Sequence, residues 1–373
     1  MKQINQLLLV ATAMILFASC QKFGDFFPKD HGNKSKGDVY TLSNQAAANE
    51  VIQYVRNSDG TLQYKASYPT GELGTGAGLG SQGALIFAAD NHILLAVNAG
   101  SNSVSAFRVK DNGLELINTV QSGGTQPISI AAEGDLVYVL NAGSPANISG
   151  FKLTVQGLQP LSNSTRPLSG DDVGPAQVSF VLNGKVLVIT EKGTNLITTY
   201  TINGNGRPQT MHTAPSASPT PFGFATGKNG LIVVSEAAGG APGISAVSTY
   251  HVNYDGVVDL ITGPVSAGQT AACWVVLTDN GKIAYATNTG DSNVSSFSVN
   301  HNGELTVDDA AAGLTGTGSK PIDASLSANS KYLYVLSSGT QTVTGFRVQG
   351  NGSLSQVDQV SGLPAGTVGL ASE

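Results

Sequence analysis

The sequence contains a unit that recurs seven times, and this repeat constrains the fold more than any other feature. Each unit has a short hairpin turn that ends in glycine, most often as Asp-Gly or Asn-Gly, which suits right-twisted strands. The turn glycines are Gly60, Gly113, Gly157, Gly206, Gly256, Gly303 and Gly352. An aromatic residue precedes each by six positions: Tyr54, Phe107, Phe151, Tyr200, Tyr250, Phe297 and Phe346. This fixed offset predicts repeated copies of one supersecondary unit.

The spacing of the turns indicates which unit is repeated. Successive turn glycines lie 53, 44, 49, 50, 47 and 49 residues apart. A repeat of about 49 residues holds four short strands with their turns, as in a propeller blade. Val or Ile lies three residues before each aromatic, so both faces of that strand are apolar, as stacked blades require. An apolar residue also follows the aromatic by two positions, except in the first unit, where Arg56 takes this place.

The two ends of the chain predict how the ring closes. The first unit begins at 39–42, which has the pattern of a second strand with no inner strand before it. The last unit ends with an additional segment, 364–370, that resembles the inner strands at 126–130 and 320–324. We therefore expect an all-β fold: a seven-bladed β-propeller with four-stranded antiparallel blades. The C-terminal inner strand should pair with the N-terminal blade and so remove a free sheet edge.

The N-terminus resembles a bacterial lipoprotein signal. A basic start is followed by an apolar run at 7–17, too short for a bilayer span of roughly 20 residues. Small residues then precede Cys20, which we expect to carry lipid; an ordinary cleaved signal is the alternative. The predicted organisation is a signal peptide at 1–19, a lipidated cysteine and flexible spacer at 20–37, and the propeller at 38–373. The expected location is the cell envelope, on the periplasmic side or the surface, with the lipid as the only membrane attachment.

Composition excludes several classes of function. The formal net charge is -6 and no Lys/Arg cluster occurs, so we expect no binding to nucleic acid. Cys20 and Cys273 are the chain's two cysteines, and Cys273 lies in an apolar run typical of a buried strand. The histidines show no metal-ligand spacing, so no metal and no cofactor is expected. A monomer is expected.

Polar residues at two sets of positions are candidates for the channel lining. The entries to the inner strands carry Gln82, Gln126, Gln177 and Lys320. The ends of the second strands are followed by Asn44, Asn98, Asn141, Glu191, Lys192, Glu236 and Asn288. These side chains either form a polar ring around a ligand or, for the Asn residues, cap loops through their own backbone. Lys320 either binds an anionic group or is simply solvated.

The repeat resembles the lactonase family of seven-bladed propellers, which includes 6-phosphogluconolactonases and carboxymuconate-lactonizing enzymes. The resemblance covers about residues 38–373. Members that act on lactones carry Gly-Pro-His-x-His at an inner-strand entry, an Arg before the next third strand, and Asn-Glu in the next blade. Here residues 174–177 are Gly-Pro-Ala-Gln, the Arg position is Leu196, and the Glu is kept as Glu236. The resemblance therefore implies the fold, while both histidines and the Arg are missing.

Two functions remain open. The first is an enzyme that hydrolyses or isomerises a small sugar or acid lactone, with Glu236 as base and Lys320 or Lys192 as the cation for the ring-opened carboxylate. The second is a non-catalytic propeller that binds a ligand, glycan or partner at the membrane surface. The partner in the first case is a small lactone or carbohydrate. Convergence of Glu236, Glu191 and a lysine on one cavity would favour catalysis.

Overall fold

The computed structural model describes residues 36–373, and their strands form seven antiparallel sheets arranged as the blades of one propeller. The predicted signal peptide and Cys20 lie outside the described residues. Within 36–373, no helix has the length and apolar character needed to cross a membrane.

The strands follow one another blade by blade, each blade running from an inner to an outer strand. The first blade has β1 (Gly37–Leu42), β2 (Glu50–Arg56), β3 (Leu62–Pro69) and, as its inner strand, the C-terminal β29 (Val368–Ser372). The second has β4 (Leu85–Ala88), β5 (Ile93–Asn98), β6 (Ser103–Lys110) and β7 (Gly113–Gln121). The third has β8 (Pro127–Glu133), β9 (Leu136–Asn141), β10 (Asn147–Thr154), β11 (Gly157–Pro160) and the two-residue β12 (Arg166–Pro167), which also pairs with β10.

The remaining blades are regular. The fourth has β13 (Pro175–Val181), β14 (Val186–Glu191), β15 (Leu196–Ile202) and β16 (Pro208–Pro215). The fifth has β17 (Pro221–Thr226), β18 (Leu231–Glu236), β19 (Ala246–Val252) and β20 (Val258–Ser266), with short 3-10 turns at Lys228–Gly230 and Ala238–Gly240. The sixth has β21 (Ala272–Leu277), β22 (Ile283–Asn288), β23 (Asn293–Val299) and β24 (Leu305–Leu314). The seventh has β25 (Pro321–Leu326), β26 (Tyr332–Ser337), β27 (Thr342–Val348) and β28 (Leu354–Ser361).

The repeated aromatic and glycine have one structural role in every blade. Each aromatic lies on the third strand and is buried where neighbouring blades stack. Each turn glycine joins the third strand to the outer strand with a positive φ, as at Gly157, where φ is 94°. Such a conformation is accessible to glycine at little cost. The predicted fold and blade count are confirmed.

The ring closes as predicted. In the first blade β1 pairs with β29, with Val39 opposite Ser372 and Thr41 opposite Leu370. The Thr41 hydroxyl also donates to the carbonyl of Gly369 at 2.7 Å. The two ends of the chain thus share one sheet, and unfolding of the first blade requires the last strand to detach.

A glycine-rich connection closes the central channel. Residues 70–84 link β3 to β4, and their segment 79–83, here called the channel strap, contacts the inner strands of several blades. The Ser81 hydroxyl donates to the Ile128 carbonyl at 2.8 Å, and Trp274 Nε1 donates to the Ser81 carbonyl at 2.9 Å. Gln82 N donates to the carbonyl of Ala176 at 3.2 Å. The strap therefore crosses the channel and joins blades three, four and six.

Candidate functional site

The candidate residues lie at the end of the propeller where inner strands begin and second strands end, here called the upper face. Glu236 is the last residue of β18 and is fully buried. Its carboxylate accepts hydrogen bonds from the hydroxyls of Ser216 at 2.6 Å, Ser248 at 2.6 Å and Tyr250 at 2.8 Å. Ser248 and Tyr250 belong to the third strand of the same blade. The carboxylate thus lies inside the fifth blade rather than on the channel surface, and its role as a base remains a prediction.

Glu191 is in the same position in the fourth blade. It is fully buried at the end of β14. Its carboxylate accepts hydrogen bonds from Thr194 at 2.8 Å, from Thr198 at 2.7 Å, and from both the hydroxyl and the backbone N–H of Ser169. Both glutamates therefore tie the end of a second strand to the third strand and a neighbouring loop. They do not converge with a lysine on one cavity.

The asparagines at the ends of the second strands bond to neighbouring protein groups, and Asn98 also accepts a hydrogen bond from Asn49 of the first blade at 2.9 Å. Asn98 Nδ2 donates to the hydroxyl of Ser105 at 2.9 Å, and Asn141 Nδ2 donates to Asn147 Oδ1 at 2.9 Å. Similar contacts bind Asn44 to Ala77 O at 2.6 Å and Asn288 to Ser295 Oγ at 2.7 Å. This pattern agrees with the alternative in which these residues organise loops rather than contact a ligand.

Two of the predicted inner-strand residues join blades to other segments. The amide of Gln177 donates to Phe224 O at 2.9 Å and accepts from Phe224 N at 2.6 Å, which links the fourth and fifth blades. Gln82 makes the same kind of contact across the channel: its amide donates to Val275 O at 3.0 Å and accepts from Val275 N at 3.3 Å. Each amide therefore both donates to and accepts from the backbone of another blade.

The other two inner-strand candidates point outward. Gln126 and Lys320 directly precede β8 and β25, and both are exposed. Within residues 36–373, the Lys320 side chain makes no ion pair. This placement agrees with a solvated lysine, and its role as a catalytic cation remains a prediction.

Lys192 is the candidate that reaches the channel. It follows Glu191 directly, is partly buried, and its ammonium donates to the carbonyl of Gly80 in the channel strap. Its Nζ lies 4.5 Å from the centroid of the Phe222 ring, a cation–π distance. Phe222 packs against Trp274 with ring centroids 4.8 Å apart. We call Lys192, Phe222, Trp274 and Cys273 the channel mouth.

The electrostatics of the channel mouth distinguish it from the glutamates. Lys192 forms no ion pair with any residue from 36 to 373. Burial lowers the pKa of Lys192 to about 8, because the charged form loses water beside the rings. Burial also raises the pKa of the Cys273 thiol to about 11, so the thiol is neutral at physiological pH. The channel mouth therefore presents one cation without an anion, surrounded by apolar surface.

Sequence reasoning missed the aromatic part of this site. Phe222 and Trp274 lie at the start of the inner strands of adjacent blades. Phe222 is at the position of Ala176 and Ile128, and Trp274 is one position further on, where other blades place Ser129 or Gly223. A comparison of the aligned inner-strand entries would have shown two large aromatics among small and aliphatic residues. The channel strap could not be found this way because it belongs to a connection and not to the repeat.

The positions that carry chemistry in active family members have structural roles here. Ala176 is fully buried and its carbonyl accepts from the strap, while Gln177 binds the next blade. Leu196 starts β15 at the Arg position. Within the described part of the chain, no cluster of three or more His, Cys, Asp or Glu side chains could hold a metal ion. The geometry supplies a cation and apolar surface, and it lacks a base in contact with them.

Comparison with solved structures shows the same architecture. A candidate 6-phosphogluconolactonase of Bacteroides fragilis is 20% identical, with a TM-score of 0.71 over 93% of this chain and 100% of that chain. A periplasmic gluconolactonase of Pseudomonas aeruginosa is 16% identical, with a TM-score of 0.69 over 90% of this chain and 99% of that chain. At these identities the likeness shows the fold alone. No curated protein matches the chain.

A family model agrees with the structural likeness. The model for the lactonase family of seven-bladed β-propellers matches residues 35–157 and 239–369, which is more than half of the chain. The unmatched interval, 158–238, contains Lys192, Phe222 and Glu236. Two residues of the channel mouth, Lys192 and Phe222, therefore lie in the unmatched interval, while Cys273 and Trp274 lie in the matched part. The chain belongs to the lactonase family of seven-bladed β-propellers.

Proposed function

We propose that this protein is a lipid-anchored envelope propeller that binds a small sugar acid, or the neutral lactone formed from it, at the channel mouth. The observation that carries this proposal is Lys192, a partly buried ammonium whose only hydrogen bond within 36–373 is to the carbonyl of Gly80. A cation without an anionic partner in an apolar setting favours a carboxylate or phosphate ligand.

The rings beside Lys192 indicate the shape of the ligand. Phe222 and Trp274 meet at an interplanar angle of 52°, so they form an angled apolar wall under the ammonium. Such a wall suits the C–H face of a small ring, while the ammonium fixes a charged or polar oxygen. A sugar acid, or the lactone formed from it, has both features. A large glycan or a protein segment is less suited, because the strap crosses the channel in contact with the ammonium.

The hydrogen bonds of the buried carboxylates favour binding without hydrolysis. Lactone hydrolysis needs a base or an activated water close to the ring carbonyl. Glu236 would have to give up three hydroxyl hydrogen bonds to serve as that base. The family chemistry is also altered at 174–177 and Leu196, inside the interval that the family model leaves unmatched.

Lactone hydrolysis is the second candidate, and family membership favours it. In that case Lys192 supplies the base more easily than Glu236, because a pKa of about 8 lies close to an ordinary working pH. Lys320 would then need to move toward the mouth to hold the product carboxylate. This reaction requires measurable turnover that Lys192→Met abolishes.

The lipid anchor on Cys20 is proposed from the sequence. The topology of the propeller is compatible with an anchor that leaves the channel mouth open. β1 begins at Gly37, beside the C-terminal β29, at the face of the propeller opposite the upper face. Lys192 follows β14 at the upper face. The described part of the chain therefore begins at the face opposite Lys192. Metabolic labelling with palmitate should mark the wild-type protein and not Cys20→Ala.

The binding proposal is tested by calorimetry with gluconate on the mature protein. Wild type should bind, and Lys192→Met should lose at least about tenfold in affinity, because a charge-assisted hydrogen bond contributes about 1.5–3 kcal/mol. Lys320→Met is the matched control, since it removes an exposed lysine from the same face. Equal affinity of wild type and Lys192→Met, or loss confined to Lys320→Met, would contradict the proposal.

A further inference from the structure

We propose that the ε-amino group of Lys192 is a site of covalent acylation by lactones. This inference deepens the proposed function and rests on it, because the lactone must enter the channel mouth. The Lys192 side chain itself reacts, and the ligand that reacts with it is a lactone.

The geometry gives the amine both access and a suitable environment. The side chain is partly exposed and lies above the Phe222 ring, so one side of Nζ faces an apolar surface. The strap residue beside the amine is a glycine: a Cβ added at Gly80 would lie 3.4 Å from Lys192 Nζ and 3.9 Å from Phe222 Cζ. The strap therefore places no side chain of its own against the amine at this point. Lowered hydration near an aromatic ring favours the neutral amine, which is the nucleophilic form.

The other nucleophile at the channel mouth is a weak competitor. With pKa values of about 8 and about 11, roughly a tenth of Lys192 is neutral amine at pH 7, whereas only about one part in ten thousand of Cys273 is thiolate. Cys273 is also 7% exposed and lies in the inner strand β21. The amine is therefore the group expected to react.

The reaction balances without any further reagent. The lone pair of Nζ attacks the lactone carbonyl carbon and forms a C–N bond. The ring C–O bond then breaks, and the leaving oxygen takes the proton that nitrogen loses. The product is an open-chain hydroxy amide on Lys192, with no oxidant, reductant or released water. Because an amide is uncharged, acylation also removes the cation that the proposed function uses.

Peptide mapping by mass spectrometry tests the inference directly. The folded mature protein is exposed briefly to glucono-δ-lactone at pH 7.5, and the acylated fraction is measured for each lysine. Lys320 in the same molecules is the internal reference, since it is exposed and belongs to the same face. We expect the fraction at Lys192 to exceed that at Lys320 by at least about fivefold, because burial lowers the pKa of Lys192 and the neutral amine is the nucleophile. Urea-unfolded protein should lose this preference.

The outcomes separate this inference from the proposed function. Acylation at Lys320 and other exposed lysines with none at Lys192, or the same pattern in folded and unfolded protein, would overturn it. Gluconate binding measured by calorimetry does not depend on acylation, because gluconate is not an acylating agent. If gluconate binds through Lys192 but the lactone does not mark it, only the present inference fails. If the lactone marks Lys192 while gluconate does not bind, only the proposed function fails.

Discussion

The buried glutamates and the channel mouth lie next to each other on the upper face, yet they use their charges in opposite ways. Glu191 and Glu236 are enclosed by hydroxyl and N–H donors of their own blades and neighbouring loops. Lys192 follows Glu191 by a single residue, but it extends into the channel and meets one carbonyl and one aromatic ring. The carboxylates of Glu191 and Glu236 thus have several hydrogen-bond donors each, whereas the ammonium of Lys192 has a single acceptor among residues 36–373.

This difference shows how a charged residue in a repeat should be judged. A carboxylate whose two oxygens both accept hydrogen bonds contributes to stability, and removing it leaves buried donors without partners. An ammonium with few partners in apolar surroundings contributes little to the free energy of folding. Its N–H groups can instead donate hydrogen bonds to a ligand. The two regions should therefore respond differently to substitution.

The largest effect is expected at Glu236. Glu236→Ala leaves the hydroxyls of Ser216, Ser248 and Tyr250 without their acceptor and should lower the free energy of unfolding by about 3 kcal/mol. Urea denaturation of the mature protein measures this. Asp172→Ala, which removes an exposed carboxylate from the upper face, should change it by less than about 0.5 kcal/mol. Similar losses for both variants would remove the distinction.

A smaller, pH-dependent effect is expected at Asp323, a third buried carboxyl. Burial raises the pKa of Asp323 well above its ordinary value, although the N–H groups of Ala324 and Leu370 act in the opposite direction. The folded protein thus keeps this proton to higher pH than the unfolded chain, so stability should fall as pH rises from about 4.

Asp323→Asn sharpens the comparison because the amide cannot titrate. Thermal unfolding of wild type and variant should be compared from about pH 4 to about pH 8. The variant should gain stability relative to wild type as pH rises. Parallel curves across this range would show that the carboxyl titrates alike in folded and unfolded protein.

The smallest effect on stability is expected at the channel mouth. Lys192→Met replaces a partly dehydrated ammonium with an apolar side chain of similar length beside Phe222 and Trp274. The free energy of unfolding should stay within about 0.5 kcal/mol of wild type or increase. A loss as large as that of Glu236→Ala, measured under the same conditions, would mean that Lys192 is part of the structural framework.

The fold could be predicted from the sequence because the repeat carries its own packing rule. An aromatic, a β-branched residue and a turn glycine at fixed offsets specify the third strand of every blade. The one irregularity, Arg56, also has a structural reason: its guanidinium is buried at the seam, donates to the carbonyl of Glu373 at 3.2 Å, and lies 5.6 Å from the Tyr332 ring. An apolar residue at this position could not bind the C-terminus.

The candidate site was less predictable, for a physical reason. Glu191, Lys192 and Glu236 all lie at the end of an apolar strand, at the same edge of their blades. Their position in the sequence therefore could not show which of them faces the channel. Which of them faces the channel depends on hydroxyl groups from other strands, such as Ser248, and on the strap that brings Gly80 to Lys192. The hydroxyl partner lies two residues before the repeated aromatic, as Ser248 does before Tyr250 and Thr198 before Tyr200, whereas the strap belongs to a connection outside the repeat.

The most direct test compares Glu236→Gln with Lys192→Met in the same two assays, gluconate binding by calorimetry and hydrolysis of glucono-δ-lactone, with each variant first shown to be folded by circular dichroism. Glu236→Gln should bind gluconate within about twofold of wild type, and Lys192→Met should bind at least about tenfold more weakly. Lactone hydrolysis should not depend on Glu236. A folded Glu236→Gln protein that loses a lactonase activity present in wild type, while Lys192→Met retains it, would contradict the assignment of function to the channel mouth.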